Sequence, residues 1–147
     1  MLIGLDPLLT PDLLHALAAM GHGDRIVLVD ANYPSTRGRR TLPLPGADIV
    51  RALRAVLSVL PLDSFVPAPA AVMQVVDHPN EIPPVVAEMN AVLQSRGEKP
   101  AIGLERHAFY AAVETAYAIV PTGERRFYGN ILLAKGVIPP ETMLEAR

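Results

Sequence analysis

The stretch "MGHGDRIVLVDANYP" at residues 20–34 places a short aliphatic run between a glycine-flanked histidine and a carboxylate. Residues 26–29 are β-branched or aliphatic throughout and have charged neighbours, a pattern typical of a buried strand. The two glycines beside His22 can end a preceding helix, and they also allow a ligand to approach closely. The stretch therefore predicts a helix followed by a buried strand, with ionisable groups, His22 and Asp30, at the two ends of the strand.

The rest of the chain alternates predicted helices with short strands. Thr10, Pro11 and Asp12 can begin a first helix, which runs to about residue 20, through capping, first-turn geometry and dipole complementarity. We predict further helices at 48–60, 83–96 and 105–115, further strands at 70–76, 117–120 and 130–134, and a long loop at 30–46. This order predicts an α/β fold, a single three-layer domain with a central sheet flanked by helices.

Composition excludes several classes of function. Thirteen basic and fifteen acidic residues give a formal net charge of −2, so no global positive field attracts nucleic acid or an anionic membrane. The absence of cysteine excludes disulfides, thiol nucleophiles and thiolate metal sites, and fits a reducing cytoplasm. No signal-peptide pattern and no run of ~18 apolar residues occurs, so we expect a soluble cytoplasmic protein.

The hydrophobic content predicts self-association. Of the 147 residues, 50% are hydrophobic and only 19% are charged. A chain of this length buries about two-thirds of the surface that it exposes when unfolded, so apolar surface remains to be covered. We therefore expect a homo-oligomer in which neighbouring subunits cover part of that surface.

The usual motifs of metal and nucleotide chemistry are missing from the sequence. Its four histidines, His15, His22, His78 and His107, include no pair at the i, i+4 spacing of a helical metal site. There is neither a GxxxxGK phosphate loop nor a GxSxG nucleophile elbow, and GHG lacks the third glycine of a dinucleotide fingerprint. We therefore predict no metal and no cofactor.

A set of proton donors and acceptors remains as candidate site residues. The set comprises His22, Asp30, Arg106, Tyr110, Tyr128 and Asn130. Arg106 and Tyr110 are four residues apart and share one face of a predicted helix. Such a set suits proton transfer on a neutral polyhydroxylated ligand. Ordinary structural roles also fit, because His22 can simply follow a helix end and Tyr110 can simply pack.

The chain resembles the family of L-fucose mutarotases and D-ribose pyranases. The matching stretches are MGHGDRIVLVDANYP at 20–34, LPLDSF at 60–65, RHAFY at 106–110 and TGERRFYGNILLAKGV at 122–137. They span most of the chain in order, and their combination is much more specific than any one piece. Tyr110 and Gly129 favour the fucose branch, whereas His107 stands where fucose-type members carry Phe.

This resemblance implies a cofactor-free isomerase that interconverts the α and β anomers of a monosaccharide, with L-fucose as the favoured substrate. It implies a single domain over residues 1–147. It implies a ring-shaped homo-oligomer, a decamer of two stacked pentamers. His22 and Tyr110 would be the acid–base residues. The implied sugar ligands are Asp30, Asp63, Arg106, Tyr128 and Asn130. D-ribose pyranase activity, a non-catalytic sugar-binding module and a purely structural ring protein remain as alternatives.

The separation of His22 and Asp30 carries a prediction about assembly. A straight strand at 25–29 rises ~3.3 Å per residue, which puts roughly 16 Å between its ends. One sugar can meet both residues only if loops fold back or if two subunits share a site. We predict a site at a subunit interface, with Arg106, Tyr128 or Asn130 supplied by a different subunit from His22.

Overall fold

The computed structural model describes residues 1–35 and 38–141. Over these residues the chain forms helices α1 (Pro11–Ala19), α2 (Ile49–Leu57), α3 (Pro84–Ser95) and α4 (Arg106–Glu114), and strands β1 (Arg25–Val29), β2 (Ala70–Met73), β3 (Ile102–Leu104), β4 (Ala118–Pro121) and β5 (Ile131–Ala134). All of these except β3 are predicted from the sequence. β3 has only three residues, too few for an alternating pattern to be recognised. None of the described helices is long and apolar enough to cross a bilayer.

The boundaries of the predicted elements need small corrections. The helix predicted to reach residue 60 ends at Leu57, and the strand predicted to reach residue 76 ends at Met73. Element ends are the least regular parts of helices and strands, so shifts of this size are ordinary. The predicted loop at 30–46 includes residues 36–37, which lie outside the described residues.

One mixed sheet holds the five strands in the order β3-β2-β5-β1-β4. β1 pairs in parallel with β4 and β2 with β3, whereas β5 runs antiparallel between β1 and β2. The pair Leu28–Ile131 lies near the end of β1, and the pair Arg25–Ala134 lies at its start. The residues just before β5 therefore lie beside those that follow β1.

Helices pack against both faces of this sheet. Ile26 and Leu28 of β1 belong to a large core that also contains the buried sides of α1, α2 and α3. Val27 and Val29 belong to a second core, which contains Phe109 of α4. Successive strand residues point to opposite faces, so the aliphatic run of β1 supplies both cores. The predicted α/β domain, with its sheet between helical layers, is confirmed.

Side-chain caps define where three of the helices begin. The Oγ1 of Thr10, predicted as a cap, accepts a hydrogen bond from the amide three residues later at 3.2 Å. The Oδ1 of Asp48 does the same for α2 at 2.8 Å. Glu105 begins α4, where its Oε2 accepts from the amides of His107 at 2.8 Å and Ala108 at 3.3 Å. These bonds satisfy amides that the first helical turn leaves without partners.

A close backbone contact fixes the end of β5 against residues 61–63. The amide of Gly136 donates to the carbonyl of Pro61 at 2.8 Å, and the amide of Asp63 donates to the carbonyl of Ala134 at 3.0 Å. A Cβ atom on Gly136 would lie 2.3 Å from the carbonyl oxygen of Leu62. Only glycine allows this approach without displacing the backbone.

We expect Gly136→Ala to lower the free energy of unfolding by about 1–3 kcal/mol, because the added methyl group would overlap the Leu62 carbonyl. Gly46→Ala is the matched control, since a Cβ there meets no atom within 4 Å. The control should change stability by no more than about 0.5 kcal/mol. Urea unfolding measures both variants, and equal unfolding free energies would contradict the steric argument.

Candidate active site

A cavity of about 260 Å³ opens beside the carboxyl end of β1. Its lining residues are Asp30, Asn32, Tyr33, Pro34, Met73, Tyr110, Phe127, Tyr128 and Asn130. They come from the loop after β1, the end of β2, the helix α4 and the segment before β5. The antiparallel direction of β5 makes this convergence possible, because it brings the segment before β5 to the carboxyl ends of β1 and β2.

Asp30 supplies the carboxylate of this cavity. It is 6% exposed, and its Oδ1 accepts from the amide of Asn32 at 2.9 Å. Its own amide donates to the Oδ1 of Asn130, also at 2.9 Å. Burial raises the pKa of Asp30 above its ordinary value of 3.8, and the hydrogen bond from Asn32 opposes that rise. A carboxylate can accept several hydrogen bonds, so Asp30 retains acceptor capacity for ligand hydroxyl groups.

Tyr128 and Asn130 are presented by a strained turn before β5. Tyr128 has a φ of 65°, a left-handed conformation that costs a non-glycine residue about 1–2 kcal/mol. Its hydroxyl accepts from the amide of Val76 at 3.2 Å, and its carbonyl accepts from the amide of Asn130 at 2.8 Å. Such strain persists only where surrounding contacts enforce it, and it concentrates at functional sites.

Two tyrosines from different elements pack together at the cavity. The rings of Tyr33 and Tyr110 have centroids 5.6 Å apart. Tyr33 is 8% exposed, whereas Tyr110 is 38% exposed. Burial raises the pKa of Tyr33 from 10.0 to about 12, further from neutral pH than that of an ordinary phenol. Tyr110 is therefore the more accessible of the two phenols for a ligand.

His22 and Asp63 form a separate pair near the other end of β1. The Nε2 of His22 lies 3.1 Å from the Oδ1 of Asp63, and its ring centroid lies 5.6 Å from that of Phe65. Asp63 is 4% exposed, and its pKa is lowered first by the amide of Phe65, which donates at 3.0 Å, and then by His22. The predicted acid–base histidine therefore lies outside the 260 Å³ cavity of its own chain.

Arg106 lines a neighbouring cavity of about 370 Å³. That cavity also includes Val76, whose amide donates to the Tyr128 hydroxyl, so the two spaces adjoin. His107 lines neither cavity. Its side chain is 78% exposed, and its Nδ1 lies 2.9 Å from the Oε1 of Glu105, the cap of α4. His107 therefore contacts the residue that caps α4 and does not line the candidate site.

The cavity thus brings together four of the predicted site residues, Asp30, Tyr110, Tyr128 and Asn130. Sequence reasoning missed the remaining lining residues, Asn32, Tyr33, Pro34, Met73 and Phe127. Residues 32–34 begin two positions after Asp30, and Phe127 directly precedes Tyr128, so proximity in sequence was an available signal. Met73 is far from every predicted site residue in the sequence, and only the pairing of β2 with β5 brings it to the cavity. In residues 1–35 and 38–141, no three His, Asp or Glu side chains are grouped so that they could hold a metal ion.

Comparison with known proteins identifies the family. A family model described as the RbsD / FucU transport protein family matches residues 3–138. The chain belongs to the RbsD / FucU family. Within this family, a fucose mutarotase from Bos taurus is 42% identical to this chain. The alignment covers 95% of this chain and 96% of that protein. The family expected from the sequence is confirmed.

Solved structures of RbsD / FucU proteins share the fold. A crystal structure of the fucose mutarotase from Streptococcus pneumoniae in complex with L-fucose has a TM-score of 0.87 and 38% identity, covering 94% of this chain and 100% of that one. A structure of Bacillus subtilis RbsD complexed with D-ribose has a TM-score of 0.73 and 21% identity, covering 89% and 95%. The second likeness shows the fold alone. Of these two proteins, this chain is closer in sequence to the fucose mutarotase.

We expect Asp30→Asn to raise the free energy of unfolding at neutral pH. Because the folded chain raises the pKa of Asp30, ionising it costs more in the folded than in the unfolded state. The stability of the wild type relative to the variant should therefore fall as the pH rises from 3.8 through the raised pKa, and stay constant above it. Asparagine keeps an oxygen for the Asn32 amide, so the loop should be preserved.

Urea unfolding of both proteins between about pH 3 and about pH 7 measures this dependence. Asp6→Asn is the matched control, because Arg51 lowers the pKa of Asp6 and the sign of the effect is reversed. In the control, the wild type should gain stability relative to the variant as Asp6 ionises. A wild type that gains stability relative to Asp30→Asn over the same range would contradict the prediction.

Proposed function

We propose that this chain is a mutarotase that interconverts the α and β anomers of L-fucose. The observation that carries the proposal is the cavity beside β1, where Asp30, Tyr110, Tyr128 and Asn130 line one space with the apolar Met73. Carboxylate, phenol and amide groups match the hydroxyls of a neutral sugar, and an apolar wall matches the methyl group of a 6-deoxy sugar. The similarity to fucose mutarotases over nearly the whole chain supports this substrate.

Anomer exchange needs only the movement of protons. The cyclic hemiacetal opens when a proton reaches the ring oxygen and another leaves the anomeric hydroxyl. Rotation about the C1–C2 bond then turns the aldehyde, and closure reverses both proton transfers. Side chains positioned as general acid and base typically accelerate such steps by ~10²–10⁴-fold.

We assign the acid–base work to His22 and Tyr110. An imidazole can both donate and accept a proton near neutral pH, so His22 can protonate the ring oxygen and later remove that proton. Asp63, at 3.1 Å from its Nε2, can orient the ring. Tyr110, or a water molecule beside it, handles the anomeric proton.

The sugar hydroxyls are held by the remaining polar residues in this proposal. Asp30 accepts hydrogen bonds from two hydroxyls or more, while the Tyr128 phenol and the Asn130 amide donate to or accept from others. Arg106 contacts the part of the sugar that reaches the adjoining cavity, where its guanidinium can only donate. Two of the binding residues, Tyr128 and Asn130, thus lie in the segment before β5, whereas neither His22 nor Tyr110 does.

We propose that His22 reaches the cavity from a neighbouring subunit. His22 lies before the start of β1 and the cavity lies after its end, roughly 16 Å along the strand. An exposed phenyl ring stands at each place, Phe65 beside His22 and Phe127 at the cavity, each 75% exposed. A head-to-tail contact between these two places would cover both rings and complete the site.

Head-to-tail contacts close into rings when the rotation between neighbours permits it. We therefore propose a ring-shaped homo-oligomer, a decamer of two pentamers, with one site at each contact between neighbours. The apolar composition supports extensive subunit contact, since 50% of the residues are hydrophobic. We place the protein in the cytoplasm, where a cysteine-free chain loses nothing to the reducing conditions.

The proposed activity is tested by saturation-transfer NMR of L-fucose anomer exchange. We expect wild-type protein to accelerate exchange and His22→Gln to reduce that acceleration by about 100-fold or more, since a general acid is removed. His15→Gln, which changes an exposed histidine of α1, is the matched control and should keep the wild-type rate. A wild-type rate for His22→Gln would overturn the assignment.

The same experiment separates the alternatives. A D-ribose pyranase would accelerate pyranose–furanose exchange of D-ribose more than anomer exchange of L-fucose. A non-catalytic sugar-binding module would bind L-fucose saturably without accelerating exchange, and a purely structural ring protein would do neither.

Mixed oligomers test whether two subunits share one site. We expect His22→Gln and Asp30→Asn to be inactive alone, but to regain activity when they are co-refolded into the same oligomers. Random mixing in equal amounts gives about one quarter of the sites an intact His22 from one subunit and an intact Asp30 from the next. The recovered rate is measured by the same NMR exchange. No recovery in oligomers proven to be mixed would place both residues in one subunit's site.

A further inference from the structure

Residues 124–130, here called the Tyr128 segment, need support that regular structure does not provide. The segment precedes β5 and carries three cavity residues, Phe127, Tyr128 and Asn130. Tyr128 holds a φ of 65°, so the segment has a conformation that the chain would leave if its surroundings allowed it. A group that anchors this segment would therefore control the shape of the sugar site.

Glu124 is a buried carboxylate at the base of the Tyr128 segment, and the acid–base mechanism does not use it. It is 3% exposed. Its Oε1 accepts from the amide of Arg126 at 2.9 Å and from the Nε at 3.0 Å, and its Oε2 accepts from the Nη2 at 3.0 Å. Three charge-assisted bonds to one residue fold the start of the segment into a tight turn. Arg126 lowers the pKa of Glu124 to about 2, so the ion pair persists throughout the neutral range.

The backbone around Glu124 ties the segment to both neighbours of Asp30. The carbonyl of Glu124 accepts from the amide of Ala31 at 2.8 Å. Its amide donates to the Oγ1 of Thr122 at 3.2 Å, and that hydroxyl donates to the carbonyl of Val29 at 2.9 Å. Glu124 therefore links the loop after β1 to the segment before β5, and both of these line the cavity.

The side chain of Glu124 also supports the middle of the segment. A Cβ atom on Gly129 would lie 2.6 Å from the Cγ of Glu124 and 3.6 Å from the Cβ of Asp30. The residue between Tyr128 and Asn130 thus rests directly against the Glu124 side chain. A shift of that side chain would move both sugar-facing residues.

Arg126 makes a second ion pair that provides a matched control. Its Nη1 and Nη2 donate to Glu88 of α3 at 2.8 and 3.2 Å. The side chains of Arg126 and Glu88 are 43% and 49% exposed, whereas that of Glu124 is 4% exposed. Exposed ion pairs contribute little to stability. Glu88 and Glu124 therefore share Arg126 as a partner, but only the buried Glu124 is expected to matter for the conformation of the segment.

We propose that Glu124 is a positioning residue of the sugar site. Held by Arg126, Glu124 keeps Tyr128 and Asn130 in position beside Asp30 without touching the sugar itself. This inference rests on the proposed mutarotase function, because sugar binding and anomer exchange are its readouts.

The test is the kinetics of L-fucose anomer exchange by Glu124→Gln. Glutamine keeps the size of the side chain and one oxygen, but it lacks the charge that binds Arg126. The displaced residues bind sugar, whereas His22 and Tyr110 lie on other elements. We therefore expect the KM for L-fucose to rise about tenfold or more while kcat changes less than about threefold. Glu88→Gln should keep both constants within about twofold of the wild type.

Two outcomes would overturn the inference. One is a Glu124→Gln protein with an unchanged KM and wild-type kcat, and the other is an unchanged KM with a reduced kcat. The second is what a purely structural role predicts, because partial unfolding lowers the amount of active protein but leaves the remaining sites intact. Folding and assembly are checked by circular dichroism and sedimentation.

A second variant keeps the inference testable if Glu124→Gln does not fold. Arg126→Lys retains a cation for Glu124 but replaces the planar fork by a single ammonium group, so a smaller rise in KM is expected. An unchanged KM for this variant would also count against the inference. If wild-type protein fails to accelerate exchange, the proposed function itself is wrong. If the wild type is active and the KM of the variants is unchanged, only the positioning role is wrong.

Discussion

The antiparallel pairing of β5 with β1 is the constraint on which the candidate site depends. Four strands of the sheet run in one direction, and β5 alone runs in the other between β1 and β2. Its start therefore lies at the carboxyl ends of its neighbours, where Asp30 and Asn130 share a hydrogen bond of 2.9 Å. A parallel β5 would carry Tyr128 and Asn130 to the opposite edge of the sheet. The polar cavity exists because one strand is reversed.

Two buried carboxylates next to this pairing have opposite electrostatic environments. Asp30 has no basic partner among its described contacts, and burial raises its pKa. Glu124 is also shielded from solvent, but the Arg126 guanidinium more than offsets the cost of burial, and the pKa of Glu124 falls. The residue with a neutralising partner serves to hold the backbone. The residue without one keeps acceptor capacity for a ligand, at some cost to stability.

Much of the fold follows from local sequence signals. The aliphatic run of β1, the helix caps and the proline and glycine punctuation act within a few residues, so they can be recognised along the chain. β3 was not predicted from the sequence, because its pairing with β2, rather than a pattern in its own three residues, makes it a strand. The site was partly predictable for the same reason. Asp30, Tyr128 and Asn130 stand beside recognisable strands, whereas Met73 and Glu124 gain their places only through long-range packing.

The sequence by itself determined the α/β class and the family, and it supplied the polar residues from which the candidate site is drawn, because composition, periodicity and motifs are properties of the chain. The tertiary structure decided which of those residues meet. It joined Asp30, Tyr110, Tyr128 and Asn130 in one cavity and set His22 and Asp63 apart as a pair. The physical reason is strand direction. Contacts between distant residues depend on how strands pair, and a strand's own sequence does not state whether its partner runs parallel or antiparallel.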